Sequence, residues 1–91
     1  AILINVARGG IVNEKDLSFA LSNNVIRAAA IDVCEIEPIA KGNPLSELKN
    51  IIMTPHIAWA SYQSRIRLLE GIEQNIEKYR RGLGAEINLA I

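Results

Sequence analysis

The chain has 91 residues, with ten basic and ten acidic side chains and 49% apolar residues. A chain of this length forms one globular unit that buries only about 60% of its unfolded surface, so self-association is expected. The balanced charge, without a long basic run, indicates neither nucleic acid nor a membrane as a partner. No apolar stretch reaches the roughly 18 residues of a membrane span. The single Cys34 suits a reducing compartment, so the expected location is cytoplasmic.

The first part of the chain has the pattern of a strand, a helix and a second strand. Residues 2–6 are apolar and mostly β-branched, which is typical of a strand buried on both faces. Asn13 is the expected N-cap of a short helix with acidic residues in its first turn and apolar residues at helical spacing. Residues 25–33 return to strand character. Because position 1 already has the character of a buried strand, the chain is interpreted as the C-terminal piece of a longer protein.

The remaining residues predict a long loop, a third strand and a long helix. Residues 34–50 are mainly loop, with room for one helical turn that begins at Asn43. Residues 51–54 form the third strand, and a helix follows over about 61–81. The connections are long enough for parallel pairing. The sequence therefore predicts an α/β unit with three short parallel strands, helices and a long C-terminal helix.

Three chemically active side chains follow the three predicted strands. Arg8 comes two residues after the first strand, Glu37 four residues after the second and His56 two residues after the third. The carboxyl ends of parallel strands lie on one edge of a sheet, where ligands bind. The topology therefore brings a guanidinium, a carboxylate and an imidazole to the same edge.

These three groups suit the reduction of a 2-keto acid. A carboxylate that hydrogen-bonds an imidazole holds it in one orientation and stabilises its protonated form, so His56 can act as a general acid. Arg8 can hold a substrate carboxylate through two charge-assisted hydrogen bonds, with Glu37 behind the histidine. The hydride would come from a nicotinamide.

Each of these residues also has a purely structural interpretation. His56 could be a capped loop histidine, Arg8 a surface ion-pair partner and Glu37 a solvated loop acid. Asp32 could only cap the turn after its strand. Cys34 is interpreted as a small packed residue, because the sequence suggests no adjacent base. The shared position at three strand ends favours the functional interpretation, since three unrelated surface residues would not all follow strands.

Three segments, in this order and spacing, resemble the C-terminal half of the nucleotide-binding domain of the D-isomer-specific 2-hydroxyacid dehydrogenases. They are ILINVARGGIVNEKDLSFAL, AAAIDVCEIEP and NPLSELKNIIMTPHIAWAS, and the likeness covers about residues 1–82, which leaves 83–91 as a tail. The resemblance implies that Arg8, Glu37 and His56 are catalytic. It also implies contacts with the nicotinamide part of the cofactor from Val6, Ala7, Arg8, Asp32, His56, Ala58 and Trp59.

The resemblance carries further expectations about the parent protein. It implies a Rossmann-like domain that binds NAD or NADP, a 2-keto or 2-hydroxy acid substrate, a homodimer and no metal. The form HIAWAS is similar to the glycerate dehydrogenase, or hydroxypyruvate reductase, branch. No group of glycines forms the G-x-G-x-x-G turn that holds a pyrophosphate, so the isolated chain is expected to be inactive. The alternative function is a dinucleotide-sensing transcriptional corepressor of the same fold.

Overall fold

Three short parallel strands form the sheet in the computed structural model, which describes residues 1–87. Strand β1 covers Ile2–Asn5, β2 covers Ala28–Ile31 and β3 covers Ile51–Met53, and they lie in the order β1-β2-β3. In the register, Ala30 of β2 lies between Ile4 and Ile52. All strands end on one edge, which we call the carboxyl edge. The predicted α/β class with a parallel sheet is confirmed.

Helix α1, Glu14–Ser22, covers one face of this sheet. It begins where the Asn13 side chain accepts a hydrogen bond from the Asp16 N–H at 3.0 Å, as the sequence predicts for an N-cap. Its buried face packs on the alternate residues of the strands that point toward it. The central cluster of buried apolar side chains consists of Leu17, Leu21, Ala29, Ile31 and Leu45.

The second strand is shorter than the predicted span 25–33, which is wrong by three residues at its amino end and by two at its carboxyl end. Asn24 adopts a left-handed backbone with φ of 55°, and the N–H groups of Val25 and Ile26 donate to the carbonyl of Ala20. Because these N–H groups are hydrogen-bonded to a carbonyl at the end of α1, they cannot pair with a strand, and β2 begins at Ala28. The predicted turn at Asn43 forms as a hydrogen-bonded turn and not as a helix: the Ser46 N–H donates to the Asn43 carbonyl at 3.1 Å, and Asn43 Oδ1 accepts from the Leu45 N–H at 2.9 Å.

The chain divides into two compact units, Ala1–Ala58 and the residues from Trp59 onward. The second unit contains helix α2, Tyr62–Arg80, and one 3-10 turn, Gly84–Glu86. The helix matches the predicted span 61–81 closely. Of the predicted tail, residues 88–91 lie outside the described residues. No helix within residues 1–87 combines the length and apolar character of a membrane span.

Both units carry apolar side chains on their surfaces. On the sheet face that α1 does not cover, Ile2, Ile4 and Ile52 are each more than 60% exposed. On α2, four apolar side chains at helical spacing are exposed: Ile66, Leu69, Ile76 and Tyr79. The first unit is therefore stabilised mainly by the contacts between α1 and one face of the sheet.

The buried Leu21 and the exposed Phe19, two residues apart on α1, allow a matched test of this core. Leu21 is 1% exposed and Phe19 is 66% exposed. We expect L21A to lower the free energy of unfolding by about 2 to 5 kcal/mol, because it removes packed methyl groups and leaves a cavity. F19A should change it by less than about 1 kcal/mol. Urea denaturation followed by circular dichroism measures both, and equal losses would contradict this assignment of the core.

Candidate active site

Asp32 directly follows β2 and joins the end of this strand to the loop after β3. Its carboxylate Oδ1 accepts hydrogen bonds from the Thr54 hydroxyl at 2.6 Å and the Ile57 N–H at 2.9 Å, and Oδ2 accepts from the Ala58 N–H at 2.8 Å. The residue is only 3% exposed. The bond from Thr54, helped by the two N–H groups, lowers the pKa of Asp32 although burial opposes this. Asp32 is therefore a buried anion at neutral pH.

His56 lies inside the loop that Asp32 holds, and its backbone is strained. Its φ of 56° falls in the left-handed region, which costs a side-chain-bearing residue roughly 1 to 2 kcal/mol. The His56 N–H donates to the Thr54 carbonyl at 3.1 Å and closes a tight turn. Since Asp32 binds Thr54 before the histidine and two N–H groups after it, these contacts impose the turn on His56.

The Glu37 carboxylate lies between the histidine ring and the backbone of its own loop. Oε2 is 2.6 Å from His56 Nδ1, and Oε1 accepts a hydrogen bond from the Cys34 N–H at 3.0 Å. The hydrogen bond with His56, followed by the one from Cys34, lowers the pKa of Glu37. The carboxylate is therefore ionised at neutral pH and accepts the Nδ1 proton, which fixes the ring orientation.

Arg8 reaches the same edge on a turn that Asn5 shapes. Asn5 is 8% exposed; its Oδ1 accepts from the Ala7 N–H at 3.1 Å and its Nδ2 donates to the Arg8 carbonyl at 3.1 Å. Arg8 Nη1 donates to the Ala7 carbonyl at 2.8 Å. The positive charge of Arg8 contributes to the low pKa of Glu37, so it acts on this carboxylate. Asn5 was not identified from the sequence. The single amide side chain in an otherwise apolar strand could have indicated its role.

An open cavity of about 530 Å³ lies beside these residues, within the range of small-ligand sites. Its lining residues are Asp32, Cys34, Glu37, Pro38, Ile39, Met53, Thr54, Pro55 and His56. Three of the expected site residues, Asp32, Glu37 and His56, therefore share this cavity. Val6, Ala7, Arg8 and Ala58 do not line it, and Trp59 begins the second unit.

Cys34 lines the cavity as a half-buried free thiol. Burial, followed by the negative charges of Glu14 and Glu37, raises the pKa of this thiol. A thiol with a raised pKa is a poor nucleophile at neutral pH, which supports its interpretation as a packed wall residue. Within residues 1–87, no group of three or more His, Cys, Asp or Glu side chains is arranged to hold a metal ion.

Asp32 keeps one acceptor position beyond the hydrogen bonds that the described residues make to it. A carboxylate can accept about four hydrogen bonds. The Asp32 carboxylate accepts three from the described residues, two at Oδ1 and one at Oδ2. The second position on Oδ2 suits the N–H of a carboxamide. The chain lacks the glycine-rich turn for a pyrophosphate, so only the nicotinamide end of the cofactor fits these residues.

Residues 1–58 match the family model described as D-isomer specific 2-hydroxyacid dehydrogenase, NAD binding domain. The chain belongs to the D-isomer-specific 2-hydroxyacid dehydrogenase family. The matched range is the whole of the first unit and includes every residue of the cavity. The family assignment thus agrees with the resemblance seen in the sequence.

Individual relatives agree with this assignment. The chain is 43% identical over 89% of its length to a hydroxypyruvate reductase from Blautia hydrogenotrophica, and 44% identical over 90% to a glycerate dehydrogenase from Methylorubrum extorquens. A D-isomer specific 2-hydroxyacid dehydrogenase from Xanthobacter autotrophicus, solved with NADPH and MES, superimposes over 99% of the chain with a TM-score of 0.74 and 36% identity. The chain spans 25%, 27% and 36% of these three proteins, respectively.

The buried Asp32 carboxylate predicts a specific loss of stability in acid. Its pKa is lower in the folded chain than the ordinary value of 3.8, so the unfolded chain takes up its proton first as the pH falls. The stabilisation is complete above about pH 5 and disappears as the pH drops through the lowered pKa. We expect D32N to be less stable at neutral pH and to lose less stability on acidification.

Thermal unfolding between about pH 7 and pH 3 measures this dependence. T54V removes the strongest donor to Asp32 and keeps the side-chain shape, so it should also be less stable at neutral pH and lose less on acidification. The explanation is wrong if D32N and the unaltered chain lose equal stability over this range.

Proposed function

We propose that this chain is the part of an NAD(P)-dependent D-2-hydroxyacid dehydrogenase that carries the catalytic side chains. The observation that carries the proposal is the contact of 2.6 Å between His56 Nδ1 and Glu37 Oε2, with the charge of Arg8 acting on the same carboxylate. The proposed reaction interconverts a 2-keto acid and a D-2-hydroxy acid. The names of the relatives support hydroxypyruvate and D-glycerate as this pair.

In the proposed reaction, His56 supplies the proton. Glu37 is hydrogen-bonded to Nδ1, so the proton is transferred from Nε2. It passes to the ketone oxygen during reduction and returns to Nε2 during oxidation. The ionised Glu37 stabilises the imidazolium and keeps the ring in one orientation. A positioned general acid of this kind contributes about 10²- to 10⁴-fold to the rate.

Arg8 is the proposed anchor of the substrate. Its guanidinium can form two parallel hydrogen bonds with the substrate carboxylate, which places the adjacent ketone beside the histidine. The Asn5 contacts with Ala7 and Arg8 limit the movement of this turn. The substrate is therefore held at two points, through its carboxylate by Arg8 and through its ketone oxygen by His56.

The proposed cofactor is NAD or NADP, which supplies the hydride to the carbonyl carbon when it is bound. Asp32 would hold the carboxamide through its remaining acceptor position on Oδ2. The further residues proposed to line the nicotinamide site are Val6, Ala7, Arg8, His56, Ala58 and Trp59. The family model describes an NAD binding domain, and the Xanthobacter autotrophicus relative was solved with NADPH.

Other expectations from the sequence keep the status of predictions. These are a homodimer, a cytoplasmic location and the assignment of residues 1–82 to a Rossmann-like portion. The corepressor alternative receives no support from the two named relatives, which carry the names of a reductase and a dehydrogenase.

Substitution of His56 in the full-length enzyme that contains this segment tests the proposed chemistry. We expect H56N to lower kcat for hydroxypyruvate reduction by about 10²- to 10⁴-fold, because the proton donor is lost. R8K should mainly raise KM for the keto acid, since an ammonium cannot form the paired contact with a carboxylate. Steady-state oxidation of NADH, followed by absorbance, measures both constants.

Arg27 offers the matched control for Arg8. It is exposed and directly precedes β2, so it lies at the opposite edge of the sheet. R27K should therefore leave kcat and KM unchanged. An H56N enzyme with normal kcat would refute the role of His56, and equal effects of R8K and R27K would refute that of Arg8.

The 91-residue chain alone should not turn over hydroxypyruvate. The reason is that it lacks the glycine-rich turn for the pyrophosphate, so it cannot hold the dinucleotide by the residues proposed here. An assay of the purified chain with NADH and hydroxypyruvate measures this. Turnover that H56N abolishes would show that this expectation is wrong, whereas turnover that persists in H56N would indicate a contaminating enzyme.

A further inference from the structure

Gly9 lies in the closest contact between the turn after β1 and the loop after β2. A Cβ atom placed on Gly9 would lie 1.9 Å from the carbonyl oxygen of Cys34, 2.4 Å from its carbonyl carbon and 2.8 Å from the nitrogen of Glu35. These are backbone atoms, so no side chain can rotate away to make room. Any larger residue at position 9 must therefore move the turn after β1 and the peptide group between Cys34 and Glu35 apart.

The two adjacent glycines are required for different reasons. Gly10 has a φ of 83°, so its backbone conformation favours glycine, but nothing lies within 4 Å of its Cβ position. The φ of Gly9 lies outside the left-handed region, and only the close approach of the Cys34 peptide excludes a side chain there. Gly9 therefore determines a distance between two loops and does not determine a turn type.

The peptide that Gly9 contacts is also held by a carboxylate. The Glu35 N–H donates to Glu14 Oε1 at 2.7 Å, and the Asn43 side chain donates to Glu14 Oε2 at 2.7 Å. Glu14 therefore fixes the peptide through its nitrogen while Gly9 leaves space for its carbonyl. A displacement of this peptide would strain or break a charge-assisted hydrogen bond.

The displacement would reach the catalytic pair through Cys34. The Cys34 N–H donates to Glu37 Oε1, and the other oxygen of the same carboxylate contacts His56 Nδ1. On the other side, Gly9 directly follows Arg8, whose carbonyl is held by Asn5. Gly9 is thus the contact between the turn that carries Arg8 and the loop that carries Glu37.

We infer that Gly9 is a positioning residue, which sets the approach of the Arg8 turn to the Glu37 loop and so keeps Glu37 on His56. The effect on catalysis rests on the proposed function. The effect on the geometry of Glu37 and His56 does not. A shift of about 1 Å in a catalytic group can lower the rate by about 10²-fold. The displacement caused by one added methyl group at position 9 should therefore give a measurable loss of rate.

The decisive experiment observes the histidine ring in the 91-residue chain with the substitution G9A. His56 is the only histidine of the sequence, so nitrogen-edited NMR of imidazole groups reports on it alone. In the unaltered chain we expect an Nδ1–H signal that the bond to Glu37 protects from exchange with water. In G9A we expect loss of this protected signal while the backbone amide spectrum stays folded. G71A is the control, because a Cβ at Gly71 meets nothing within 4 Å, and it should keep the signal.

Glu14 provides a second variant if G9A does not fold. E14A removes the acceptor of the Glu35 N–H without adding an atom near Gly9, and we expect it to weaken protection of the Nδ1–H. The inference is overturned if folded G9A keeps the protected signal. It is equally overturned if G9A does not fold and E14A leaves the signal unchanged.

Kinetics of the full-length enzyme separate this inference from the proposed function. If the inference about Gly9 and the proposed function are both correct, G9A lowers kcat by about 10- to 100-fold and leaves KM for NADH unchanged. A general loss of stability alone would leave kcat per folded molecule unchanged. If the NMR signal is lost in G9A but the unaltered enzyme does not reduce keto acids, only the proposed function fails.

Discussion

The buried carboxylate of Asp32 is the constraint on which the site depends. An anion that is 3% exposed is costly to bury unless its hydrogen bonds are satisfied, and here the loop after β3 supplies them. The loop can supply these donors only by turning sharply at His56, which accepts a left-handed backbone. The stability of a buried charge thus offsets the strain of the histidine, and the ring is presented at the carboxyl edge.

The site combines two carboxylates that are ionised for different reasons. Asp32 is stabilised mainly by a hydroxyl and by backbone N–H groups, whereas Glu37 is stabilised first by the imidazole. Asp32 therefore fixes the backbone around His56, and Glu37 fixes its ring. The two carboxylates therefore hold the same histidine through different parts of the residue.

The sequence allowed prediction of the parallel sheet, both helices and the residues at the carboxyl edge, because strand ends and helix caps are local signals. It did not reveal that Val25 and Ile26 close α1, since this depends on the left-handed Asn24. Nor did it reveal the roles of Asn5 and Gly9. Their importance comes from contacts with residues that are distant in sequence, such as the Cys34 peptide, and these contacts exist only after the strands have paired.

Strand β1 has a consequence for how the chain behaves in solution. It is one of the two outer strands among the described residues, and the segment AILINVA has high β-propensity, no proline and no charged side chain. Its residues Ile2 and Ile4 also expose most of their surface. Such an edge is a template for pairing with another strand. The strand that carries the turn of Arg8 is therefore also the segment from which aggregation of the isolated chain would begin, so high concentration should deplete the folded monomer by this route.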